Sequence, residues 1–443
     1  MQKLSKLTMK LLLLLTMLSL TLPGTSAWAN QELRVLIETE NYHLTKFEPR
    51  EGTYLGAYVI QDTLINADMS KFNQLTGKKH ASFFMYVGYG RPFPEQWFND
   101  LKAVDAVAHI AWEPNDGLEV VQDDAYLRSF ARQLKDSDMP VFLRFASEMN
   151  GDWTRYNGDP EKYIEKWRLV HDVMAEEAPN VMMVWTVFTF PQETILKYYP
   201  GDEYVDWVGV NIYNVVYHNN NLKHRADHED PLELLDYVYD TFSERKPIQI
   251  SEYGATHFTI TDNKEHVEFA IEKITRMYKG IKNKYPRVKS IFYFDVNNLI
   301  NAPLNRRINN YALTTNQEIL ATYAALINGP HYLSEIAENQ EGEPSRELLN
   351  VKDPIHTING TTYISSHAVR NYLGAQMVLK QEPKLLQITK NKYTFNIEVT
   401  NRPQPDAAFV KNGTSYLPLR VLASRLGYRL TWDPLEKMIK VTR

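Results

Sequence analysis

The stretch Val141–Tyr156, VFLRFASEMNGDWTRY, begins with an apolar run and ends in a polar loop. The run VFLRF has the β-branched and aromatic content of a strand buried on both faces. A helical pattern follows from Pro160 to Ala178, and Asp159 before Pro160 marks its start as a capping residue followed by proline. The stretch therefore predicts a strand, a loop and a helix, the repeating unit of parallel α/β folds.

The same unit recurs along the chain. Seven further apolar runs resemble VFLRF: YLGAYVI (54–60), ASFFMYVG (81–88), AVAHIAW (106–112), VMMVWTVF (181–188), VDWVGVNIY (205–213), PIQISEY (247–253) and SIFYFDV (290–296). Longer amphipathic stretches lie between them, for example at 125–137, 231–245 and 265–285. Eight strands, each followed by a helix, predict an α/β fold of the (β/α)8 TIM-barrel class. An open doubly wound sheet is the alternative, which is disfavoured because no Gly-rich phosphate loop follows the first strand.

The first 29 residues have the pattern of an export signal. Lys3, Lys6 and Lys10 precede a short apolar run, and Ala27-Trp28-Ala29 fits a cleavage site. The run is shorter than the roughly 20 residues of a membrane-spanning helix, so we expect a signal peptide at 1–29 and no membrane partner. Since the chain also lacks cysteine, which favours a Gram-positive bacterium, we expect a secreted, extracellular protein of such an organism.

Charge and cysteine content exclude several classes of function. Removal of the three leader lysines takes the formal net charge from −5 to −8, so no basic field attracts nucleic acid or anionic lipid. The absence of cysteine excludes disulfides, thiolate catalysis and cysteine-ligated zinc. The chain is longer than one typical domain, so we expect at least two.

A second domain is predicted after the barrel, which we expect over 32–329. Residues 330–350 are acidic and polar, and have the composition of a linker. Within 351–443, NGTTYISSHAVRNYLGA from Asn359 aligns with NGTSYLPLRVLASRLGY from Asn412. Each copy predicts a turn at Asn-Gly, a strand, a short helix ending in Leu-Gly and more strand. Together they form a smaller C-terminal α+β repeat module.

Two glutamates are candidates for catalysis. The active site of a (β/α)8 barrel lies at the carboxyl ends of its strands, where Glu148 follows strand four and Glu252 ends strand seven. A pair of carboxyl groups about 5 Å apart supports retaining glycoside hydrolysis, in which one donates a proton and the other attacks. For either glutamate alone, a salt bridge or cap at a strand end is the ordinary interpretation. The pair on one rim favours catalysis.

Aromatic and amide side chains at strand ends are candidates for sugar binding. The predicted substrate-binding residues are Trp112, Asn150, Trp153, Trp185, Tyr213 and Tyr253. Packing at the top of the barrel is the alternative for about half of the aromatic rings that end strands, which include Tyr156. Tyr213 ends strand six, beside strand seven, so its phenol is expected to bond to and orient the nucleophile.

No metal or other cofactor is predicted. The loop YHNNNLKHRADHEDP, from Tyr217, contains three histidines and two aspartates, but no pair has the spacing of a known metal motif. We interpret it as a solvated loop.

Four motifs together resemble glycoside hydrolase family 26: AWEPNDG, RFASEMNGDW, YPGDEYVDWVGVNIYN and ISEYGATH. The resemblance covers the chain from about Glu32 to Asn328. The resemblance implies a (β/α)8 retaining enzyme of the group that includes β-mannanases, mixed-linkage glucanases and 1,3-xylanases. It also implies that Glu148 is the acid/base, Glu252 the nucleophile and Tyr213 its orienting partner, with Trp153 and Trp185 lining sugar subsites. Two departures concern specificity: Ser147 stands where the family usually has histidine, and WTVFTF is apolar where a polar residue is usual.

The C-terminal repeat resembles the stalk domain named from the N-terminal region of copper amine oxidases. The resemblance does not imply copper, and we expect a module for cell-wall or glycan attachment. The leading hypothesis is therefore a secreted retaining endo-β-glycosidase that hydrolyses a β-mannan or β-1,3-1,4-glucan type of polysaccharide. The alternative is an inactive barrel that acts as a carbohydrate-binding or cell-envelope protein, which Ser147 favours.

Overall fold

A computed structural model describes residues 33–39, 42–345, 347–390, 393–434 and 436–442. The predicted signal peptide at 1–29 lies outside the described residues. The chain divides into two compact units, Glu40–Ser345 and Met1–Thr39 with Arg346–Arg443. We call them the barrel unit and the strand-rich unit. Among the described helices, none has the length and apolar character needed to cross a membrane.

The barrel unit contains a closed ring of eight parallel strands, which confirms the predicted fold class. The strands are β1 Thr53–Tyr58, β2 Ser82–Gly88, β3 Val107–Glu113, β4 Val141–Phe145, β5 Val181–Phe188, β6 Trp207–Asn214, β7 Ile248–Ala255 and β8 Val288–Phe294. Strand β8 pairs in parallel with both β7 and β1, and this closes the ring.

A helix follows each strand before the next begins. These helices are α1 Met69–Thr76, α2 Glu95–Ala103, α3 Ala125–Asp136, α4 Pro160–Glu177, α5 Gln192–Ile195, α6 Pro231–Phe242, α7 Val267–Lys284 and α8 Gln317–Ile327. Asp159 and Asp230 cap α4 and α6 by accepting from the backbone N–H groups of Lys162 and Leu232, as the Asp-Pro pairs predict. The connection after β5 is the exception, since α5 is a single turn. Short strands lie in the other loops: Phe258–Thr259, Lys264–Glu265, Asn309–Asn310 and Tyr332–Leu333.

The barrel strands are apolar on both faces because each face packs against a different layer. One set of side chains faces the helices, and Trp112 on β3, for example, stacks on Phe130 of α3 with ring centroids 4.4 Å apart. The other set fills the ring interior, where Phe142 lies 6.3 Å from Phe292. The two sets belong to separate hydrophobic clusters. The position of a residue along a strand therefore decides whether it reaches the helices or the barrel axis.

Strand β7 contains a bulge near its middle. Its pairing with β6 steps from Val210↔Ile250 directly to Asn211↔Glu252, which leaves Ser251 as an extra residue. Its pairing with β8 is irregular at the same place. A bulge interrupts the alternation of faces, so Ser251 and Glu252 both point toward the barrel axis. Without the extra residue, the face of Glu252 would be the one that packs against the helices.

The strand-rich unit confirms the predicted α+β repeat. In the first copy, strand Thr361–Ser365, helix Ser366–Leu373 and strand Gln376–Lys380 follow in order. In the second copy, Thr414–Pro418, Leu419–Leu426 and Arg429–Asp433 lie at equivalent positions. Asn359 and Asn412 have positive φ in the turns, and Gly374 and Gly427 end the helices in the left-handed region. The remaining strands of this unit are Arg34–Thr39, Glu347–Asn350, Ile355–Ile358, Leu385–Lys390, Tyr393–Thr400, Ala408–Lys411 and Met438–Thr442.

The strand Arg34–Thr39 corrects the predicted domain boundaries. It lies between Glu347–Asn350 and Met438–Thr442 in a four-stranded sheet, so it belongs to the strand-rich unit rather than to a barrel beginning at residue 32. The predicted linker at 330–350 also differs from the structure, because Tyr332–Leu333 pairs with β1 inside the barrel unit. Thr39 is the pairing partner of Glu347. The barrel is thus inserted between two adjacent strands of the other unit.

Candidate active site

A cleft of about 850 Å³ lies at the carboxyl ends of the barrel strands. Loops after β1, β4, β6 and β8 contribute to its walls, together with residues at strand ends. The residues that line it and take part in the bonds described below are Tyr86, Glu113, Ser147, Glu148, Trp153, Tyr156, Tyr213 and Glu252. Glu148 and Glu252, the two predicted catalytic residues, thus face one cavity.

Glu252 lies in a network of three donors. The guanidinium of Arg144 donates to its Oε1 at 2.5 Å, and the phenol of Tyr86 donates to the same oxygen at 2.6 Å. The phenol of Tyr213 donates to the other oxygen, Oε2. Arg144 is fully buried, so its charge is little screened by water. A cation and two hydroxyl donors are an arrangement that suits an ionised carboxylate.

Glu148 has different surroundings. It adopts a positive φ of 59° after β4, and its backbone N–H donates to Thr186 O at 3.0 Å. Its side chain accepts from Asn211 Nδ2 at 2.6 Å and from Trp153 Nε1 at 2.7 Å. Burial and the nearby charge of Glu252 raise the pKa of Glu148 to about 7, because both disfavour a second anion in the cleft. Glu148 therefore holds its proton under mildly acidic conditions.

Asn211 and Arg144 connect the two glutamates. Arg144 donates through one nitrogen to Glu252 and through the other to Asn211 Oδ1, at 3.2 Å. Asn211 in turn donates to Glu148. This continuous chain of bonds links the two carboxyl groups at the cleft. One protonated and one ionised carboxyl group form the pair that acid-assisted substitution at an anomeric carbon needs.

A third carboxyl group supports the turn that carries Glu148. Glu113, at the end of β3, accepts from the Ser147 hydroxyl at 2.5 Å and from the Ser147 backbone N–H at 3.2 Å. Tyr156 donates to Glu113 at 2.6 Å. Burial raises the pKa of Glu113, although the Arg144 charge and the two hydroxyl donors act against it. Ser147, which stands where the resembled family usually has histidine, is thus bonded to Glu113.

Three of the predicted sugar-binding rings do not reach the cleft. Trp112, Trp185 and Tyr253 are fully buried on the face of the ring that packs against the helices. Trp185, for example, packs against Phe242 of α6 at 5.6 Å. The prediction that these three rings bind sugar is wrong, because each lies on the outward-facing positions of its strand.

The remaining predicted binding residues divide into two groups. Trp153, 45% exposed, and Tyr213 line the cleft. Asn150 is buried and acts in the structure of the loop, since its amide donates to Phe188 O at 2.9 Å and accepts from the Phe188 N–H at 3.0 Å. It holds the ends of β4 and β5 together below the cleft surface.

The histidine-rich loop after β6 forms ion pairs. His218 bonds to Glu229 at 2.7 Å, and Asp230 pairs with Arg276 of α7 at the same distance. Across the described residues, no group of three or more histidine or acidic side chains is arranged to hold a metal ion.

Sequence reasoning missed Tyr86, Glu113 and Asn211. Each lies at or near the end of a barrel strand, on an inward-facing position. Glu113 and Asn211 stand two residues beyond Ala111 and Gly209, small residues that also face inward. The signal in the sequence was a polar side chain at the end of an apolar strand. To use this signal, one would have to know which face of the strand points toward the barrel axis.

Part of the barrel unit, including several residues of the cleft, matches a known protein family. Residues 97–228 match glycosyl hydrolase family 26. The family 26 match includes Glu113, Glu148 and Tyr213, and ends before Glu252. It agrees with the resemblance inferred from the sequence motifs and with the predicted enzyme class.

Proteins similar to this chain carry several activities in their names. Endoglucanase H of Acetivibrio thermocellus is 24% identical over 62% of this chain and 30% of its own length. A β-1,3-xylanase of a Vibrio species is 33% identical over 21% of each chain. A solved endo-β-1,4-mannanase of Cellulomonas fimi is 14% identical, with 80% of this chain and 98% of that chain covered and a TM-score of 0.47. The matches cover under a third of the curated relatives' own length.

The strand-rich unit has its own match. Residues 399–443 match the copper amine oxidase N-terminal domain. This confirms the resemblance noted in the second copy of the repeat.

Proposed function

We propose that this protein is a retaining endo-β-glycosidase that hydrolyses a β-linked polysaccharide through a glycosyl-enzyme intermediate. The observation that carries the proposal is the presence of Glu148 and Glu252 in one cleft, in surroundings that favour opposite protonation states. The family 26 match and the glycosidase names of the relatives support the reaction class.

In the first step, a Glu252 carboxylate oxygen attacks the anomeric carbon while Glu148 gives its proton to the departing glycosidic oxygen. The bond from the anomeric carbon to that oxygen breaks, and an ester to Glu252 forms. Arg144, Tyr86 and Tyr213 orient the attacking carboxylate. In the second step, Glu148 accepts a proton from water, whose oxygen displaces Glu252 and restores the enzyme. Two inversions give net retention.

The test is reducing-sugar release from soluble glucomannan, barley β-glucan, xylan and bacterial exopolysaccharide. We expect one of these to be hydrolysed, and expect Glu148→Ala and Glu252→Ala to abolish the release. Glu119→Ala is the control, because Glu119 is exposed and pairs only with Lys162 outside the cleft. Proton NMR of the first product should show the starting anomeric configuration. Inversion would overturn the double-displacement mechanism.

Aryl glycosides with acidic leaving groups separate the two roles. Such a leaving group needs no proton, so the Glu148→Ala protein should still form the glycosyl-enzyme and release the aryl group in a burst. The Glu252→Ala protein should release none. If the two variants behave alike, the assignment of acid/base and nucleophile fails.

A binding protein without activity is the second candidate, and Ser147 favours it. Measurable binding to one polymer with no hydrolysis of any would support this candidate. We further propose that the chain is secreted by a Gram-positive bacterium and that the strand-rich unit attaches it to cell wall or glycan. Fractionation of culture supernatant and wall, with the full chain and with a variant that ends at Ser345 and keeps the predicted signal peptide, tests both statements.

A further inference from the structure

Two arginines stand out on the walls of the cleft. Arg155 follows Trp153 in the loop after β4, and Arg306 lies in a turn within the loop after β8. Both line the cavity that contains Glu148 and Glu252, and both are exposed. They are the cations of the cleft surface, since Arg144 lies buried beneath it.

Neither guanidinium group stabilises the fold through a bond to another described residue. In the part of the chain that the structure describes, the guanidinium groups of Arg155 and Arg306 have no ion-pair or hydrogen-bond partner, whereas those of Arg245 and Arg276 pair with aspartates. An unpaired guanidinium keeps all five of its N–H donors for a ligand. The chain as a whole has a net charge of −5, so two free cations at the mouth of its cleft are not explained by a general excess of basic residues.

The two loops approach the cleft from opposite sides. Strands β4 and β8 are separated by half of the eight-stranded ring, so the loops that follow them stand across the barrel mouth from each other. A linear polysaccharide that crosses the mouth from one of these loops to the other passes both arginines. Arg155 follows Trp153 by two residues, and the Trp153 indole donates to Glu148, so the loop that carries this cation also bonds to the proposed proton donor.

We propose that the natural substrate is an anionic β-glycan, with carboxylate or sulfate groups that Arg155 and Arg306 bind on the two sides of the cleavage point. A neutral glycan offers only hydroxyl groups, which do not need a guanidinium. Carboxylate and sulfate oxygens match its planar fork and form two parallel charge-assisted bonds. This inference rests on the proposed function and names its substrate class.

The experiment compares polymers that differ only in charge. Barley β-glucan and glucomannan are each used in native form, with some C6 hydroxymethyl groups oxidised to carboxylates, and with some hydroxyls sulfated. We expect a lower KM for one charged form than for its parent, by about three- to tenfold, the range of an exposed ion pair at each site. The preference should shrink in about 0.5 M salt, because screening then acts within a few ångströms.

Variants assign the preference to the two arginines. Arg155→Gln and Arg306→Gln should each reduce the ratio of the two KM values, and the double variant should abolish it. Arg132→Gln is the matched control, since Arg132 is an exposed arginine of α3 that pairs with Glu177 outside the cleft. Equal KM values for charged and neutral polymers, or a preference that survives in the double variant, would overturn the inference.

Binding without turnover separates this inference from the proposed function. Affinity gel electrophoresis of Glu252→Ala protein in gels that contain the same polymers reports binding alone. If a polymer is hydrolysed with no preference for its charged form, the proposed glycosidase activity is supported and the anionic substrate is ruled out. The other outcome is that binding depends on charge and is lost in the double arginine variant, while no polymer is hydrolysed. That result supports the anionic ligand and overturns the glycosidase activity.

Discussion

Trp153 has two roles at the scale of single residues. Its exposed ring forms part of the cleft wall, and its indole N–H donates to Glu148 at 2.7 Å. The second contact favours the ionised form of Glu148 and so lowers its pKa, which burial and the charge of Glu252 still raise to about 7. The pKa of the proposed proton donor is therefore tuned by a residue that the proposed substrate would touch.

Trp153→Phe should move the alkaline limb of the pH–rate profile to higher pH. Activity requires protonated Glu148, so it falls as pH rises through the pKa of that group, about 7 in the wild-type protein. Phenylalanine keeps an aromatic surface but removes the donor, so the carboxyl group holds its proton to higher pH. The plateau of kcat should change by less than about tenfold, the worth of one hydrogen bond. An unmoved or lowered limb in a kcat/KM profile would contradict this account.

Glu113→Gln should weaken both the fold and the reaction. A glutamine amide cannot accept all three bonds that Glu113 receives from Ser147 and Tyr156, so buried donors lose a partner. We expect a loss of about 1–3 kcal/mol in the free energy of unfolding. We also expect a larger fall in kcat than rise in KM, because the turn before Glu148 loses its support.

Denaturant unfolding and steady-state kinetics at several pH values measure these effects. Glu119→Gln is the control, and its change in stability should stay within about 0.5 kcal/mol because that residue is exposed. If Glu113→Gln lowers stability but leaves kcat and its pH profile unchanged, Glu113 is structural only.

At the scale of the element, the β-bulge in β7 shows a limit of prediction from sequence. The strands could be located, but not which of their side chains face the barrel axis. Trp112, Trp185 and Tyr253 were placed correctly on barrel strands, yet each faces the helices. A barrel strand is apolar on both sides, so the alternation that would reveal the inward face is absent. At β7 the difficulty is greater, since the extra residue Ser251 changes which face Glu252 occupies. The position of Glu252 on the rim was predictable, whereas its direction depended on pairing with two neighbouring strands.

Gly209→Ala should disturb that bulge. A Cβ atom at Gly209 would lie 2.1 Å from Thr186 Oγ1 and 2.5 Å from Ser251 Oγ, two hydroxyls that bond to each other at 3.0 Å. We expect a loss of about 1–3 kcal/mol in stability, as for other overpacked sites. We also expect lower kcat, because Ser251 and Glu252 must shift together.

Thermal unfolding with kinetics tests the glycine. Gly329→Ala is the matched control, since a Cβ atom there meets nothing within 4 Å. If the two variants are equally stable and equally active, the close packing around Ser251 does not position Glu252.

At the scale of the whole molecule, the two units and their repeat were predictable, and the boundary between the units was not. The repeat at Asn359 and Asn412 is a local pattern, and each copy folds as its residues predict. The strand Arg34–Thr39 carries no local sign of its partners, which follow the barrel in sequence. Pairing between distant segments is the part of the fold that one sequence reveals least.

The strand-rich unit should fold without the barrel if that strand is kept. Thr39 pairs directly with Glu347, so replacing residues 40–346 by Asn-Gly joins the two strands as a hairpin. We expect this short protein to unfold cooperatively in a thermal scan. A protein of residues 347–443 alone should not, because it lacks Val35 and Ile37, both fully buried in the core of the unit. Equal stability of the two would show that the strand is dispensable.

The inserted arrangement also gives the molecule a check on its own synthesis. The strand Arg34–Thr39 leaves the ribosome before the barrel, and its parallel neighbour Met438–Thr442 leaves after it. A chain that stops early within the barrel or the repeat therefore leaves one edge of this strand unpaired and its unit unfolded, and chaperones and proteases act on unfolded chains. Only a chain that extends through Met438–Thr442 supplies the parallel partner of the strand Arg34–Thr39. Degradation would thus remove broken chains selectively, even those whose barrel had already formed.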